Sequence, residues 1–268
     1  MSGVLIDGLQ YANWSERIFR QMREGGVDAV HVTIAYHETF RETVLNVERW
    51  NRWFERHPDL IVHARTGDDV RRARAAGRTA IVFGFQNPSP IEDDIGLVEI
   101  VHTLGARFMQ LSYNNQSLLA TGAYEAEDPG LTRMGRQVIA EMNRVGLAVD
   151  MSHSAERSTL EAIELSSRPI AITHANPASW HAALRNKSDT VLTALAESGG
   201  MLGFSQGTVS RWRRRPSTAS GSSGADSAGP GRASSLNRAA APRALAGRGG
   251  TGAASAETRP CRPAATPL

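Results

Sequence analysis

The chain has 268 residues, of which 41% are hydrophobic and 21% are charged, and this is enough apolar material for one sizeable domain. Its single cysteine, Cys261, excludes an internal disulfide framework and a metal cluster built from cysteines. No apolar run approaches the roughly 20 residues of a membrane span, and the N-terminus lacks the charged and apolar regions of a secretory signal. We therefore expect a cytoplasmic location and no membrane partner.

The net charge of +3 is the sum of two regions of opposite sign. Residues 208–268 carry ten arginines against two acidic residues, a net charge of +8, so residues 1–207 carry −5. The tail consists mainly of Ala, Gly, Ser, Pro and Arg, which cannot bury enough apolar surface to offset the entropy of ordering. We expect a folded body at 1–207, a disordered tail at 208–268 and no specific nucleic-acid partner. Because a shifted frame in GC-rich DNA yields this composition, we also hypothesise that the reading frame is lost near Gln206.

Short apolar runs alternate with segments of helical periodicity along the body of the chain. Strands are predicted, in chain order, at residues 4–6, 28–37, 79–85, 108–113, 147–150, 170–173 and 201–205. Helices are predicted at residues 14–24, 39–56, 66–77, 94–104, 132–145 and 188–197, with one more between the fifth and sixth of these strands. Residues 7 and 8 read as a turn, residues 60–63 as a short apolar segment, and residues 114–131 as a loop over the strand ends.

About seven strand–helix units in this length favour an α/β protein of the (β/α)8 TIM-barrel type that lacks its eighth unit. This number of units disfavours an open, doubly wound sheet. No Gly-rich phosphate loop follows the first strand, so dinucleotide binding is not indicated. A barrel without its eighth strand leaves residues 4–6 and 201–205 as unpaired edges, and such edges promote pairing between chains. We therefore predict poor solubility or assembly into homo-oligomers.

Two histidines follow neighbouring predicted strands, His153 after residues 147–150 and His174 after residues 170–173. Because parallel strands joined by a helix end at the same edge of the sheet, the two imidazoles are expected side by side. Paired imidazoles at that edge suggest a metal, although hydrogen-bonded structural histidines are the alternative. Asp7 and Asp150, also beside strand ends, either accept hydrogen bonds from these histidines or cap the following turns.

Three stretches, GLTRMGRQVIAEMNRVGLAVDMSH, RPIAITHANP and LRNKSD, resemble in order and spacing the membrane (renal-type) dipeptidase family of zinc peptidases. The resemblance covers about residues 4–205. It implies a (β/α)8 barrel of the metal-dependent hydrolase superfamily, which cleaves dipeptides with two zinc ions bridged by a glutamate. By this resemblance, His153 and His174 are ligands of the second zinc, and Arg185 holds the substrate carboxylate. Tyr113 stands where the family has a substrate-binding histidine.

The chain departs from the family pattern at the first zinc. The family's first strand carries Asp-Gly-His-x-Asp, whereas Leu9 and Tyr11 stand at the two ligand positions here. Gln86 stands at the position of the bridging glutamate, and a late aspartate has no counterpart. The sequence therefore predicts one zinc ion rather than two, bound by His153, His174 and Gln86, or no metal at all.

Two functional hypotheses follow from the resemblance and its departures. The first is a dipeptidase-like metallohydrolase that cleaves a dipeptide or related small amide with zinc-activated water. In it, Arg185 anchors the substrate carboxylate, and Tyr113 and Asn114 contribute to substrate binding, or else stabilise the loop. The second is a catalytically impaired relative that binds a small molecule or a partner without hydrolysis. Neither hypothesis assigns a catalytic acid or base to a residue.

Overall fold

The computed structural model describes residues 3–205. The disordered tail predicted at 208–268, the domain boundary at residue 207 and the proposed loss of frame near Gln206 all lie outside the described residues. Within residues 3–205, none of the helices combines the length and apolar character that a bilayer crossing requires.

Strands and helices alternate along the described chain. The strands are β1 Ile6–Gln10, β2 Ala29–Ala35, β3 Ile61–His63, β4 Thr79–Phe85, β5 Ala106–Gln110, β6 Ala148–Asp150, β7 Ala171–Ala175 and β8 Met201–Phe204. The helices are α1 Glu16–Glu24, α2 Phe40–Arg56, α3 Gly67–Ala75, α4 Gly96–Thr103, α5 Arg133–Val145, α6 Glu156–Leu165 and α7 Asp189–Glu197, with a 3-10 turn at Ser89–Ile91. No helix or strand interrupts the predicted loop of 114–131.

All the strand pairs are parallel, and the main path of the sheet runs β1-β2-β4-β5-β6-β7-β8. These strands form a nearly closed barrel with the helices packed around it, which confirms the predicted TIM-like α/β fold. Alternation along β2 shows the two faces of the sheet: Val30, Val32 and Ile34 join the main apolar core, whereas His31 faces the barrel interior near Gly8.

The short strand β3 lies beside this path and pairs only with β4. β3 pairs with the first part of β4, where Ile61 aligns with Thr79 and His63 with Ile81. β5 pairs with the second part of the same edge of β4, where Phe83 aligns with Ala106. The sequence showed residues 60–63 only as an apolar segment, because three residues are too few to display a strand period.

The first strand corrects the prediction of a turn at Asp7 and Gly8. Both residues lie inside β1, which pairs with β2 through Ile6–Ala29 and Asp7–Val30. An Asp-Gly pair ordinarily indicates a turn. Here the glycine instead allows β1 to lie close to β7, because it has no side chain. A Cβ on Gly8 would lie 2.8 Å from the carbonyl oxygen of Thr173 in β7.

Helix ends follow the signals that the sequence carries. The Thr66 hydroxyl caps α3 by accepting a hydrogen bond from the Asp69 N–H. The Asp69 carboxylate accepts one from the Thr66 N–H, which completes the predicted capping box. Thr132 caps α5 by accepting from the Gly135 N–H, without a reciprocal bond from a side chain. α5 ends at Gly146, whose φ of 87° is the left-handed conformation that glycine adopts freely.

A cleft of about 760 Å³ separates β1 from β7 and β8. Residues 5–11 line one side, and residues 173–174 and 201–205 line the other. Among the described residues, β1 and β8 have no pairing with each other. The main path thus contains seven strands and stays open at the place where the sequence predicted a missing unit.

Candidate metal centre

The β6–α6–β7 unit brings the two predicted histidines into contact. His153 follows β6 and His174 lies within β7, and their side chains are buried, with 2% and 9% of the residue surface exposed. His153 Nε2 lies 2.9 Å from His174 Nε2. The carboxyl ends of two adjacent strands therefore place two imidazole nitrogens at one point, as the sequence predicts.

The hydrogen bonds of the two Nδ1 atoms show which nitrogen of each ring carries the proton. His153 Nδ1 lies 2.6 Å from Asn114 Oδ1, an acceptor, so Nδ1 carries the proton and donates it. His174 Nδ1 lies 2.8 Å from Thr173 Oγ1, whose own hydroxyl donates to Asp150 Oδ2 at 2.6 Å. Thr173 Oγ1 therefore accepts from His174 Nδ1–H. Both Nε2 atoms are left with lone pairs, which point at each other.

Gln86, which follows β4, adds a third acceptor to this point. Its amide nitrogen donates to Thr33 Oγ1 at 2.8 Å, so its carbonyl oxygen turns toward His153 Nε2 at 3.0 Å. Three lone-pair atoms thus converge with no proton to share between them. Such an arrangement is unfavourable by itself and suits a cation at its centre.

Among the described residues, His153, His174 and Gln86 could together hold one metal ion. Two imidazoles and an amide oxygen are acceptable zinc ligands, but all three are neutral. Within residues 3–205 no cluster of three His, Cys, Asp or Glu side chains is placed to hold a metal. At the family's first-zinc positions, Leu9 is apolar, and Tyr11 is 75% exposed with its ring against Tyr36.

Burial keeps both histidines in the neutral form that a metal requires. It lowers the pKa of His153, and the nearby positive charge of Arg185 acts in the same direction. It lowers the pKa of His174 as well, although the Asp150 carboxylate partly opposes this change. Both imidazoles are therefore neutral at neutral pH, and each carries a single proton, on Nδ1.

Two cationic side chains lie behind the histidines. Arg185 donates through Nη2 to the His174 carbonyl at 3.2 Å, while its buried Nε has no partner within the described chain. Lys187, only 3% exposed, donates through Nζ to the Ser154 carbonyl at 2.7 Å. Burial lowers the pKa of Lys187 to about 7, and the charge of Arg185 adds to the effect. Lys187 was not predicted to be part of the site, although it is the single lysine among the arginines of residues 1–207.

Aromatic rings cover one face of His153. Tyr113 stacks on His153 with ring centroids 4.3 Å apart, and Tyr36 and His37 meet Tyr113 edge-on. Burial raises the pKa of Tyr36 to about 12, so its hydroxyl stays protonated. Tyr113 thus lies at the pocket, where the resemblance placed it, in contact with a candidate ligand.

Asn114 lies in the loop that follows β5 and contacts His153. Its φ of 62° lies in the left-handed region, which Asn tolerates better than most residues. Its Oδ1 lies 2.6 Å from His153 Nδ1, so the side chain orients the histidine. Gly122 packs directly on the Asn114 backbone, where an added Cβ would lie 2.1 Å from the carbonyl carbon.

The two predicted aspartates also differ in placement. Asp150 is fully buried, and besides Thr173 it accepts from the hydroxyl and backbone N–H of Ser152. It therefore fixes the ring of His174 through Thr173. Asp7 accepts from the Leu9 N–H at 3.1 Å and has no hydrogen bond to His153 or His174.

Comparison with known proteins relates this site to a family. The sequence profile of the membrane dipeptidase family, peptidase family M19, matches residues 11–237. The chain is 30% identical over 178 residues to dipeptidase tcpJ of Claviceps purpurea and 30% identical over 172 residues to dipeptidase verJ of Clonostachys rogersoniana. These matches cover 65% and 63% of this chain but only 40% and 44% of the two relatives.

Solved structures show the same fold. An amidohydrolase from Pseudomonas aeruginosa superposes with a TM-score of 0.73 and 40% identity, covering 75% of this chain and 62% of that one. A metallopeptidase from Rhodobacter sphaeroides, solved with a phosphinate mimic of the dipeptide L-Ala-D-Ala, has a TM-score of 0.65 at 21% identity and covers 75% and 73%. Together with the family match over most of the chain, these likenesses lead to one conclusion: the chain belongs to the membrane dipeptidase family, peptidase family M19.

Proposed function

We propose that the pocket at the carboxyl ends of β6 and β7 is the active site of a dipeptidase-type metallohydrolase with one zinc ion. The observation that carries this proposal is the convergence of three lone-pair atoms, His153 Nε2, His174 Nε2 and Gln86 Oε1. When bound, zinc would supply Lewis acidity and lower the pKa of a water molecule. The substrate class is a dipeptide or a related small amide, as in the relatives named dipeptidases.

Arg185 would bind the carboxylate of the substrate. Its Nη2 is fixed by the His174 carbonyl, and its buried Nε is left with an unused proton. A carboxylate can accept from a guanidinium at two points, which fixes position as well as charge. Lys187 lies behind Arg185 and would add positive potential when protonated. These two cations favour substrates with a free C-terminal carboxylate.

Tyr113 and Asn114 would act on His153 from two sides. Tyr113 covers one face of the imidazole and limits the approach of water from that side. Asn114 Oδ1 holds the ring so that Nε2 faces the pocket. Asp150 would do the same for His174 through the Thr173 hydroxyl. These residues orient the site without touching the reacting bond.

A second candidate is a relative that binds carboxylates without hydrolysis. The neutral amide of Gln86, and Leu9 and Tyr11 at the first-zinc positions, favour it, because the site lacks an anionic ligand. In this case Arg185 and Lys187 alone would attract the ligand.

Zinc content, measured with cleavage of a dipeptide panel, tests both candidates. One equivalent of zinc after reconstitution and measurable cleavage would support the hydrolase, and His153→Ala should abolish both. The half-exposed His102→Ala is the matched control and should change neither. Substoichiometric zinc with no cleavage would exclude the hydrolase. Dipeptide binding that persists without zinc and is lost in Arg185→Gln would then identify the second candidate. A cytoplasmic location and homo-oligomer formation stay predictions.

A further inference from the structure

A second cavity lies at the opposite end of the barrel from the histidines. Its volume is about 270 Å³, and its floor includes the first residues of three strands, Ile6, Ala29 and Met201. His153 follows β6 and His174 lies within β7, whereas this cavity opens at the amino ends of the strands and extends as far as Thr173. Of the residues that line the cavity, the proposed function involves Thr173, whose hydroxyl accepts from His174 Nδ1.

Helix α3 forms one side of the cavity. A small apolar cluster, separate from the main core, joins Ala29 of β2 and Ala80 of β4 to Ala64 and Ala73, with Val70 packed against it. Alanines at these positions leave room that larger side chains would fill. The cavity lies where α3 meets the inner face of the strands, and Phe108 and Val82 add to its apolar lining.

Within the described part of the chain, the lining combines this apolar body with two cations and with His31 and Thr173, and it includes no acidic residue. Arg65 is exposed at the start of α3 and Arg107 is half-buried on β5. Arg107 is held by backbone carbonyls, donating to Arg65 at 2.7 Å and to His102 at 2.9 Å. The nearby Asp69 carboxylate is already engaged by the cap of α3 and by Arg72. The two guanidinium charges therefore face the cavity without an anion between them.

The neighbouring groups respond to this positive potential. The pKa of Arg107 is lowered first by burial and then by the charge of Arg65. The pKa of His102 is lowered by burial and then by both arginines. An anion at the mouth of the cavity would relieve this repulsion.

We propose that this cavity binds a small monocarboxylate with an apolar body, its carboxylate between Arg65 and Arg107 and its apolar part against Ala29, Val70 and Phe108. An apolar cavity of this kind favours apolar ligands over water. The two guanidinium groups select an acid over a neutral molecule of the same shape. Phenylacetate is a suitable probe, and 2-phenylethanol is its neutral match.

Calorimetric titration of the full chain with both compounds tests the proposal. Phenylacetate should bind more tightly than 2-phenylethanol. Arg65→Gln should lower the affinity for phenylacetate by about tenfold or more and leave the affinity for 2-phenylethanol unchanged. Within residues 3–205 the Arg65 side chain makes no ion pair, so this change should not affect folding. Val70→Phe, which fills the cavity, should abolish binding of both compounds.

Arg185 also attracts carboxylates, so Arg185→Gln is the control for site identity. Binding of phenylacetate that survives Arg185→Gln and is lost in Val70→Phe would support the second cavity. Loss in Arg185→Gln, an unchanged affinity in Arg65→Gln, or equal affinity for the acid and the alcohol would each overturn the proposal. Thermal unfolding of every variant without ligand shows whether a loss of binding reflects a loss of fold.

Discussion

His153 Nε2 and His174 Nε2 lie 2.9 Å apart with a lone pair on each, because the far nitrogen of each ring already donates elsewhere. Two acceptors at this distance repel each other unless a cation or a proton lies between them. Burial lowers the pKa of both rings, which disfavours the proton. This relationship is the physical reason for expecting a metal between the two rings.

Gln86→Glu should strengthen metal binding, because it replaces a neutral amide with a carboxylate beside His153. We expect zinc affinity to rise by about tenfold or more, which corresponds to about 1.4 kcal/mol. Competition with a chelator of known affinity measures the change. Gln86→Met, of similar size but without the oxygen, should weaken binding. Equal affinities in all three proteins would show that residue 86 is not a ligand.

Replacing Asn114 separates orientation of His153 from backbone strain. Asn114→Gly keeps the left-handed backbone but removes the acceptor for His153 Nδ1, and should cost roughly 10–100-fold in zinc affinity. Asn114→Ala removes the same acceptor and should in addition lower the free energy of unfolding by about 1 kcal/mol, because alanine resists this φ. Chelator competition and urea denaturation of each variant provide the two measurements. An unchanged zinc affinity in Asn114→Gly would contradict an orienting role.

Lys187 should make stability depend on pH. Burial lowers its pKa from 10.5 to about 7, so between these values the unfolded state binds more protons than the folded state. The free energy of unfolding should therefore rise as pH increases from about 7 to 10.5, and the cost of the buried charge is fully present below pH 7. Lys187→Met should remove this rise. Urea denaturation across the range gives the two curves, and parallel curves would show that Lys187 has an ordinary pKa.

Gly203→Ala should destabilise the barrel at its open side. A Cβ on Gly203 of β8 would lie 2.1 Å from the Thr173 carbonyl oxygen in β7. Because both contacting segments are strand backbone, the clash can be relieved only if β7 or β8 moves. We expect a loss of roughly 1–3 kcal/mol in the free energy of unfolding. Gly3→Ala, which has nothing within 4 Å of its Cβ, is the control and should have little effect. A Gly203→Ala protein as stable as the control would show that β8 shifts freely.

Self-association should depend on the apolar edges beside the cleft. Ile6 of β1 and Phe204 of β8 are 58% and 61% exposed, and Phe204 stacks on the exposed Trp180. Charged residues protect strand edges against pairing between chains. Phe204→Lys should therefore lower the average mass in sedimentation velocity, whereas Leu165→Lys, an exposed apolar site on α6, should not. A monomeric unmodified chain would contradict the predicted homo-oligomer.

The order of elements and the positions of His153 and His174 could be predicted because they depend on local patterns. Buried parallel strands read as continuous apolar runs, and a strand–helix–strand unit allows only one relative placement of its ends. Lys187 and Thr173 were missed as parts of the site, since their roles come from contacts with Ser154 and Asp150 that no local pattern encodes. The turn predicted at Asp7 and Gly8 was wrong for the same reason, because Gly8 is needed for the close contact of β1 with Thr173 in β7.

The sequence by itself determined the barrel class and the family, because each depends on which residue types follow one another. Only the tertiary structure decided which nitrogen of each histidine carries the proton and where Asn114 points. It also decided that an apolar cavity lies beneath Arg65 and Arg107. These features depend on distances between residues far apart in the chain, and such distances are set only when the strands close around a common core.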